Sequence, residues 1–171
     1  MTERKLAAAG LILGSGVYAG LRAAAELRAA LRQLHSLSAA LTVLRAELRY
    51  AHTGFSGLCS GLAERFAGKT GAFFLALGKG AEADGCPGPG STASALQQAE
   101  LRLPRQAEQA LAELFDGFGL CDAEGQLAQL EAASARLEQA EEGLRSGLSA
   151  RCRLRAVLGV CGGAAAVLLT V

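Results

Sequence analysis

The stretch that decides the fold runs from residue 23 to residue 51 and reads AAAELRAALRQLHSLSAALTVLRAELRYA. Its leucines recur at alternating steps of three and four residues, which is the period of one face of an α-helix. They are Leu27, Leu31, Leu34, Leu37, Leu41, Leu44 and Leu48. This pattern predicts a long amphipathic helix that buries its leucine face.

A second leucine stripe predicts a matching long helix in the C-terminal half. Its members are Leu127, Leu130, Leu137, Leu144 and Leu148, with Ser134 and Glu141 in phase. Asp122 follows Phe118-Gly119, which is a suitable helix end, and would serve as the N-cap of this second helix.

Shorter helices are expected between the two long ones. One apolar face consists of Phe55, Leu58, Cys59, Leu62 and Phe66, and the next of Phe73, Phe74 and Leu77. Residues 78–94 contain clustered glycine and proline and are predicted to be a solvent loop. Thr92 or Ser94 would cap a helix reaching Leu103, and Pro104 would occupy the first turn of the next. The sequence therefore predicts an all-α bundle of five to six helices.

Composition and motifs argue against several classes of protein. Lys and Arg total 17 against 16 Asp and Glu. The net charge of +1 lacks the excess of positive charge that is typical of nucleic-acid-binding proteins. The five cysteines form no CxxC pair, which disfavours a zinc site, and their odd number disfavours a disulfide framework. The two histidines, His35 and His52, lie in no catalytic motif, and Gly68-Lys69-Thr70 lacks the rest of a phosphate-binding loop. We therefore expect no enzyme, cofactor, metal or small-molecule substrate.

The two ends of the chain are its most apolar parts. Residues 6–21 and 156–171 are each uncharged runs of sixteen residues. A helix of that length spans about 24 Å, short of a hydrocarbon core of about 30 Å, unless flanking arginines snorkel. We predict transmembrane helices at residues 1–25 and 153–171 around a soluble helical domain at 26–152. Gly159 and Gly163, four residues apart, would allow close helix packing in the second span.

The basic residues that flank these spans predict their orientation. Seven arginines lie on the side of the middle segment, against two basic residues outside, which places the middle segment in the cytoplasm. A cleavable signal peptide is the alternative for the first span, because Arg4 and Lys5 precede a short apolar core and residues 23–25 are small.

Charge is unevenly distributed in the second half of the chain. Residues 100–142 carry ten acidic residues and three arginines, whereas the charges of residues 145–155 are all basic. The basic segment suits an anionic membrane surface, so membrane lipid is an expected partner. Glu131, Glu138 and Glu141 are candidates for a docking surface, although a solvated helix face is the simpler interpretation.

Three stretches of sequence carry a resemblance to a known family. They are AELRYAHT at 46–53, FGLCD at 118–122 followed by Gln126-Leu127, and RAVLGVCGG at 155–163. In order, spacing and placement they resemble the stage III sporulation protein AB family over nearly the whole chain. Gly54 replaces the proline of the first family pattern, and Leu120-Cys121 departs from the second.

The resemblance implies a non-enzymatic integral membrane component of the complex that joins mother cell and forespore. The other stage III sporulation proteins, including the secretion-type ATPase stage III sporulation protein AA, are the implied partners. The implied location is the outer forespore membrane, with a helical domain similar to that of type II secretion F proteins facing the mother-cell cytoplasm. Glu47, Tyr50, Asp122 and Gln126 match patterned positions of the family, either as partner contacts or as caps and interhelical contacts.

Two other functions stay open. The chain could be an exported helical binding module released by signal cleavage after residues 23–25. A membrane-tethered coiled coil is disfavoured because Gly54, Gly68, Gly71 and the loop around Pro87 and Pro89 interrupt any continuous heptad pattern.

Overall fold

The structure, a computed structural model, is all-helical in the residues that it describes. These are residues 2–50, 54–81 and 85–168 for the backbone, and 18, 22, 24–49, 54–81, 85–122 and 124–147 for side chains. The helices are α1 (Thr2–Tyr50), α2 (Phe55–Arg65), α3 (Lys69–Ala81), α4 (Ser91–Gln98), α5 (Arg105–Phe115) and α6 (Ala123–Leu168). The predicted all-α fold with up to six helices is confirmed.

The chain divides into two compact units. One unit consists of residues 1–29 and 143–171, and the other of residues 30–142. The second unit contains α2 to α5 together with the inner parts of α1 and α6, and it holds the described core.

Both leucine stripes contribute to that core. Leu34, Leu37 and Leu41 of α1 and Leu130 and Leu137 of α6 are all completely buried. Leucines farther along the same stripes, such as Leu27 and Leu127, are half-buried. The predicted core-facing stripes are therefore confirmed where their helices meet the shorter ones.

An aromatic cluster fills the space between the shorter helices. The ring of Phe115 lies 6.0 Å from Phe73, 6.1 Å from Phe74 and 6.1 Å from Phe55, all edge to face. The ring of Phe118 lies 4.6 Å from that of Phe55, tilted by 51°. Such arrangements add to the hydrophobic burial of the rings, so the two predicted apolar faces share one core with Phe115 and Phe118.

Helices α2 and α3 pack closely because glycine occupies the contact. A Cβ atom at Gly78 would lie 2.8 Å from the Cβ of Cys59, nearer than side chains approach one another. Gly78 and Ala81 are both buried in α3.

The loop predicted for residues 78–94 is consequently shorter than expected. Residues 78–81 continue α3, and α4 begins at Ser91. The prediction was wrong at these ends because Gly78 serves a close interhelical contact rather than a turn. Gly90, in the left-handed conformation with φ of 82°, is the N-cap of α4 in place of Thr92 or Ser94.

Helix α4 also ends earlier than the predicted Leu103, at Gln98. The N–H of Glu100 donates to the carbonyl of Gln97, and the N–H of Leu101 donates to that of Leu96. This is the Schellman pattern that terminates helices, and it places Glu100 in the left-handed region with φ of 51°. The Lys69 ammonium donates to the Glu100 carbonyl oxygen at 2.6 Å. Pro104 then stands as the N-cap of α5 rather than in its first turn.

The predicted membrane spans receive no support from helix length and hydropathy. Within the described part of the chain, no helix has a stretch both long and apolar enough to cross a membrane. The side chains of residues 1–17 and 148–171, where most of both predicted spans fall, lie outside the described residues.

Candidate interaction surface

The acidic residues of α6 form a stripe along one side of the helix. Glu124, Glu131, Glu138 and Glu142 are all exposed and follow one another at steps of seven, seven and four. At 100° per residue these positions fall within a sector of about 40°, and the stripe extends about 27 Å. We call these four residues the α6 acidic stripe.

Part of the negative charge of the α6 acidic stripe is neutralised by ion pairs within the molecule. The carboxylate of Glu131 accepts a hydrogen bond from the Arg45 guanidinium, which ties α6 to α1. Glu141 lies to one side of the stripe, is half-buried and makes an interaction of its own. In the part of the chain that the structure describes, Glu138 and Glu142 make no hydrogen bond or ion pair. Of the three predicted docking residues, Glu138 therefore offers the most accessible negative charge.

Three of the family-patterned residues have structural contacts. Glu47 pairs with Arg65 at 3.2 Å and joins α1 to α2. Asp122 is the predicted cap of α6, because its Oδ1 accepts the Gly125 N–H at 3.0 Å. The Gln126 amide donates to the Cys121 carbonyl at 3.2 Å and holds the same helix start.

The remaining predicted positions cannot be placed in the same way. Tyr50, Gly159 and Gly163 lie outside the residues whose side-chain surroundings are described, and His52 lies outside the described backbone. Their predicted roles stay predictions.

Asp116, which no sequence pattern indicated, accepts three hydrogen bonds from the start of α4. Its carboxylate accepts from the Gly90 N–H at 2.9 Å, the Thr92 N–H at 3.2 Å and the Thr92 hydroxyl at 2.6 Å. The signal available in the sequence was indirect: α4 begins after a glycine, which brings no side-chain acceptor of its own. An acceptor from another element was therefore needed.

The described residues include side chains of the types that bind metals or act as nucleophiles. None of their His, Cys, Asp and Glu side chains gather into a group of three that could hold a metal ion. Burial raises the pKa of the Cys59 thiol from 9.0 to about 12, so it stays protonated and unreactive at neutral pH. His35 is exposed on α1.

The fold and these surfaces define the class as an all-helical protein with charged, exposed helix faces. The family is given by sequence: the family model described as stage III sporulation protein AB matches residues 5–171. The chain belongs to the stage III sporulation protein AB family, as the sequence resemblance predicted. That family is not a known enzyme family, and its name assigns the chain to sporulation.

A solved structure titled stage III sporulation protein AB is similar in fold. It superposes with a TM-score of 0.60 at 23% identity, over 68% of this chain and 94% of that chain. This likeness supports the helical architecture described above. No curated protein matches the chain.

Proposed function

We propose that this protein is a non-enzymatic, membrane-anchored component of the stage III sporulation complex, whose helical unit docks a secretion-type ATPase. The α6 acidic stripe is the proposed docking surface. The observation that carries this proposal is the pair of exposed carboxylates, Glu138 and Glu142, which make no hydrogen bond or ion pair within the described residues. The partner that fits such a stripe is a protein surface with basic residues, and the family resemblance suggests stage III sporulation protein AA.

The division of charge between the two units supports membrane anchoring. Residues 30–142 carry nine basic and fourteen acidic residues, whereas residues 1–29 and 143–171 carry eight basic and two acidic. An anionic membrane surface attracts each nearby Lys or Arg by about 1 kcal/mol and repels carboxylates. The terminal unit would therefore lie at the membrane, with the acidic unit in the mother-cell cytoplasm. We also propose that the helical unit is similar in fold to the cytoplasmic domain of type II secretion F proteins.

Accessibility of single cysteines tests the anchoring and the orientation. Cys86 is exposed, and a second probe is introduced as Thr170→Cys in a chain whose other cysteines are replaced. We expect the protein to stay in the membrane fraction, with Cys86 labelled only after permeabilisation and residue 170 labelled from outside. Release into the soluble fraction would instead favour the exported binding module.

Charge reversal tests the docking surface. The full chain in detergent, carrying Glu138→Lys and Glu142→Lys, is measured for binding to the purified ATPase. Because a basic surface would now face two lysines, the dissociation constant should rise roughly tenfold or more. Glu64→Lys on α2 is the matched control, since Glu64 is an exposed glutamate on another helix. Equal binding by the double variant and the control would contradict the docking surface.

A further inference from the structure

A second charged stripe lies on α5, and its charges have a definite order. Arg105, Gln109 and Glu113 are separated by steps of four residues and are all exposed. They form one ridge on the surface of α5, about 12 Å long, because residues four apart stack along a helix. The ridge is positive at its N-terminal end, neutral in the middle and negative at its C-terminal end.

The charged ends of this ridge remain available for a partner. Arg105 makes no hydrogen bond or ion pair within the described residues. Glu113 pairs with Arg136 of α6, but its side chain is still 65% exposed. A carboxylate has lone pairs for more than one donor, so Glu113 can accept from a second arginine while keeping the first.

The ridge stands between two grooves. The groove on the α4 side has a volume of about 380 Å³, with buried Leu96 and Leu101 at its floor and Ala93 and Ala112 at its walls. The groove on the α6 side, of about 210 Å³, is formed by Gln106, Gln109, Arg136 and Gln139. The side chains around the ridge are mostly alanine and glutamine, with Glu108 in the α4-side groove, and they offer another helix both donors and acceptors.

We propose that two copies of this chain pair through α5, with the helices antiparallel about a two-fold axis at Gln109. In that arrangement Arg105 of each copy lies opposite Glu113 of the partner subunit, and the two Gln109 amides meet each other. An amide both donates and accepts, so it is complementary to itself. A two-fold contact of this kind uses the same patch on both subunits, which requires a self-complementary surface.

The order of charges favours a second copy over an unrelated partner. A sequence of positive, neutral and negative groups at equal spacing is complementary to its own reverse. Residues 30–142 have five more acidic than basic residues, so a contact between two copies of this unit needs opposite charges that are matched locally. The ridge is the place on α5 where the opposed charges of two copies attract.

This contact is separate from the proposed docking surface. Arg136, which marks the side of α6 next to α5, lies about 160° around α6 from Glu138. Pairing of two copies would therefore leave the α6 acidic stripe exposed, and either proposal can fail without the other.

Sedimentation velocity of the full chain in detergent tests the pairing over about 1 to 100 µM. We expect a dimer in the native protein. Arg105→Glu and Glu113→Arg should each raise its dissociation constant about tenfold or more, because each change places like charges opposite one another twice. Mixing the two variants should restore a dimer, since the charges are again opposite across the axis.

Disulfide cross-linking locates the contact independently. Gln109→Cys should form a cross-linked dimer under mild oxidation in a chain whose exposed Cys86 and Cys121 are replaced by serine, together with Cys152 and Cys161. Glu124→Cys, on the acidic stripe, is the control and should not cross-link. A native protein that stays monomeric would overturn the proposal, as would a dimer that is unaffected by Arg105→Glu or a variant mixture that remains monomeric.

Discussion

The Oγ1 atom of Thr92 donates a hydrogen bond of 2.6 Å to Asp116, so the end of α5 caps the start of α4. Helix α4 has eight residues, too few to be stable alone, and its N-cap Gly90 brings no side-chain acceptor. The backbone N–H groups of the N-cap Gly90 and of Thr92 also donate to the Asp116 carboxylate. This carboxylate therefore helps to fix the position of α4, together with the burial of Ala95 and Leu96, and with it the groove beside α5.

Replacing Asp116 should therefore destabilise the fold. Asp116→Ala leaves two backbone donors and the fully buried Thr92 hydroxyl without their acceptor, and we expect a loss of about 1–3 kcal/mol in free energy of unfolding. Urea denaturation measures this loss.

A double-mutant cycle assigns that loss to the contact. Thr92→Val removes one of the donors. The losses in free energy of unfolding of Thr92→Val and Asp116→Ala should therefore sum to more than the loss in the double variant. Strictly additive losses would contradict a direct coupling of the two residues.

Replacing Gly71 of α3 by a larger residue should destabilise the fold. A Cβ atom there would run into the Phe66 carbonyl oxygen and lie 2.9 Å from the carbonyl oxygen of Ala63, neither of which can rotate away. We expect Gly71→Ala to lower the free energy of unfolding by about 1–3 kcal/mol. The matched control is Gly61→Ala in α2, where a Cβ meets nothing within 4 Å and alanine should stabilise by about 0.5–1 kcal/mol.

Replacing Glu100 by glycine should stabilise the fold. Its φ of 51° is in the left-handed region, where an L side chain costs about 1–2 kcal/mol. Glu100→Gly relieves that cost and keeps the hydrogen bond from Lys69, which goes to the backbone carbonyl. We expect a gain of about 0.5–1 kcal/mol by thermal unfolding, since the ion pair to the Glu100 side chain is exposed and worth little. A loss of stability would mean that the side chain itself holds the turn.

The buried Cys59 thiol predicts a pH dependence of stability. Its pKa in the folded chain is about 12 against an ordinary 9.0, so the unfolded chain releases the proton first as the pH rises. Stability from this group is complete below pH 9 and falls between pH 9 and 12, by at most about 1.4 kcal/mol per pH unit. Comparing the native protein with Cys59→Ala isolates this slope, because the other titrating groups are common to both. Identical slopes would contradict it.

The sequence predicts the large helical features well, because they depend on periodic apolar burial. The stripes through Leu37 and Leu137 identify both long helices and the side of each that faces the core. Asp122 is predictable as a cap because its partner, the Gly125 N–H, is three residues away.

Features that depend on contacts between distant residues are not predictable in the same way. Gly78 signals a loop by composition, whereas the structure uses it to admit Cys59 from another helix. Glu131 is a docking candidate by charge, but Arg45, 86 residues away, neutralises it. Asp116 likewise caps a helix that starts 25 residues earlier in the chain. In each case the partner is set by the packing of helices, which local spacing does not encode.

Photo-cross-linking in sporulating cells tests the central claim most directly. A photoreactive amino acid replaces Glu138 in one strain and Glu64 in another, and adducts are identified by mass spectrometry. We predict an adduct with the secretion-type ATPase from residue 138 and none from residue 64. An ATPase adduct from residue 64 alone, or no ATPase adduct from residue 138 in a chain present at native level, would contradict docking through the α6 acidic stripe.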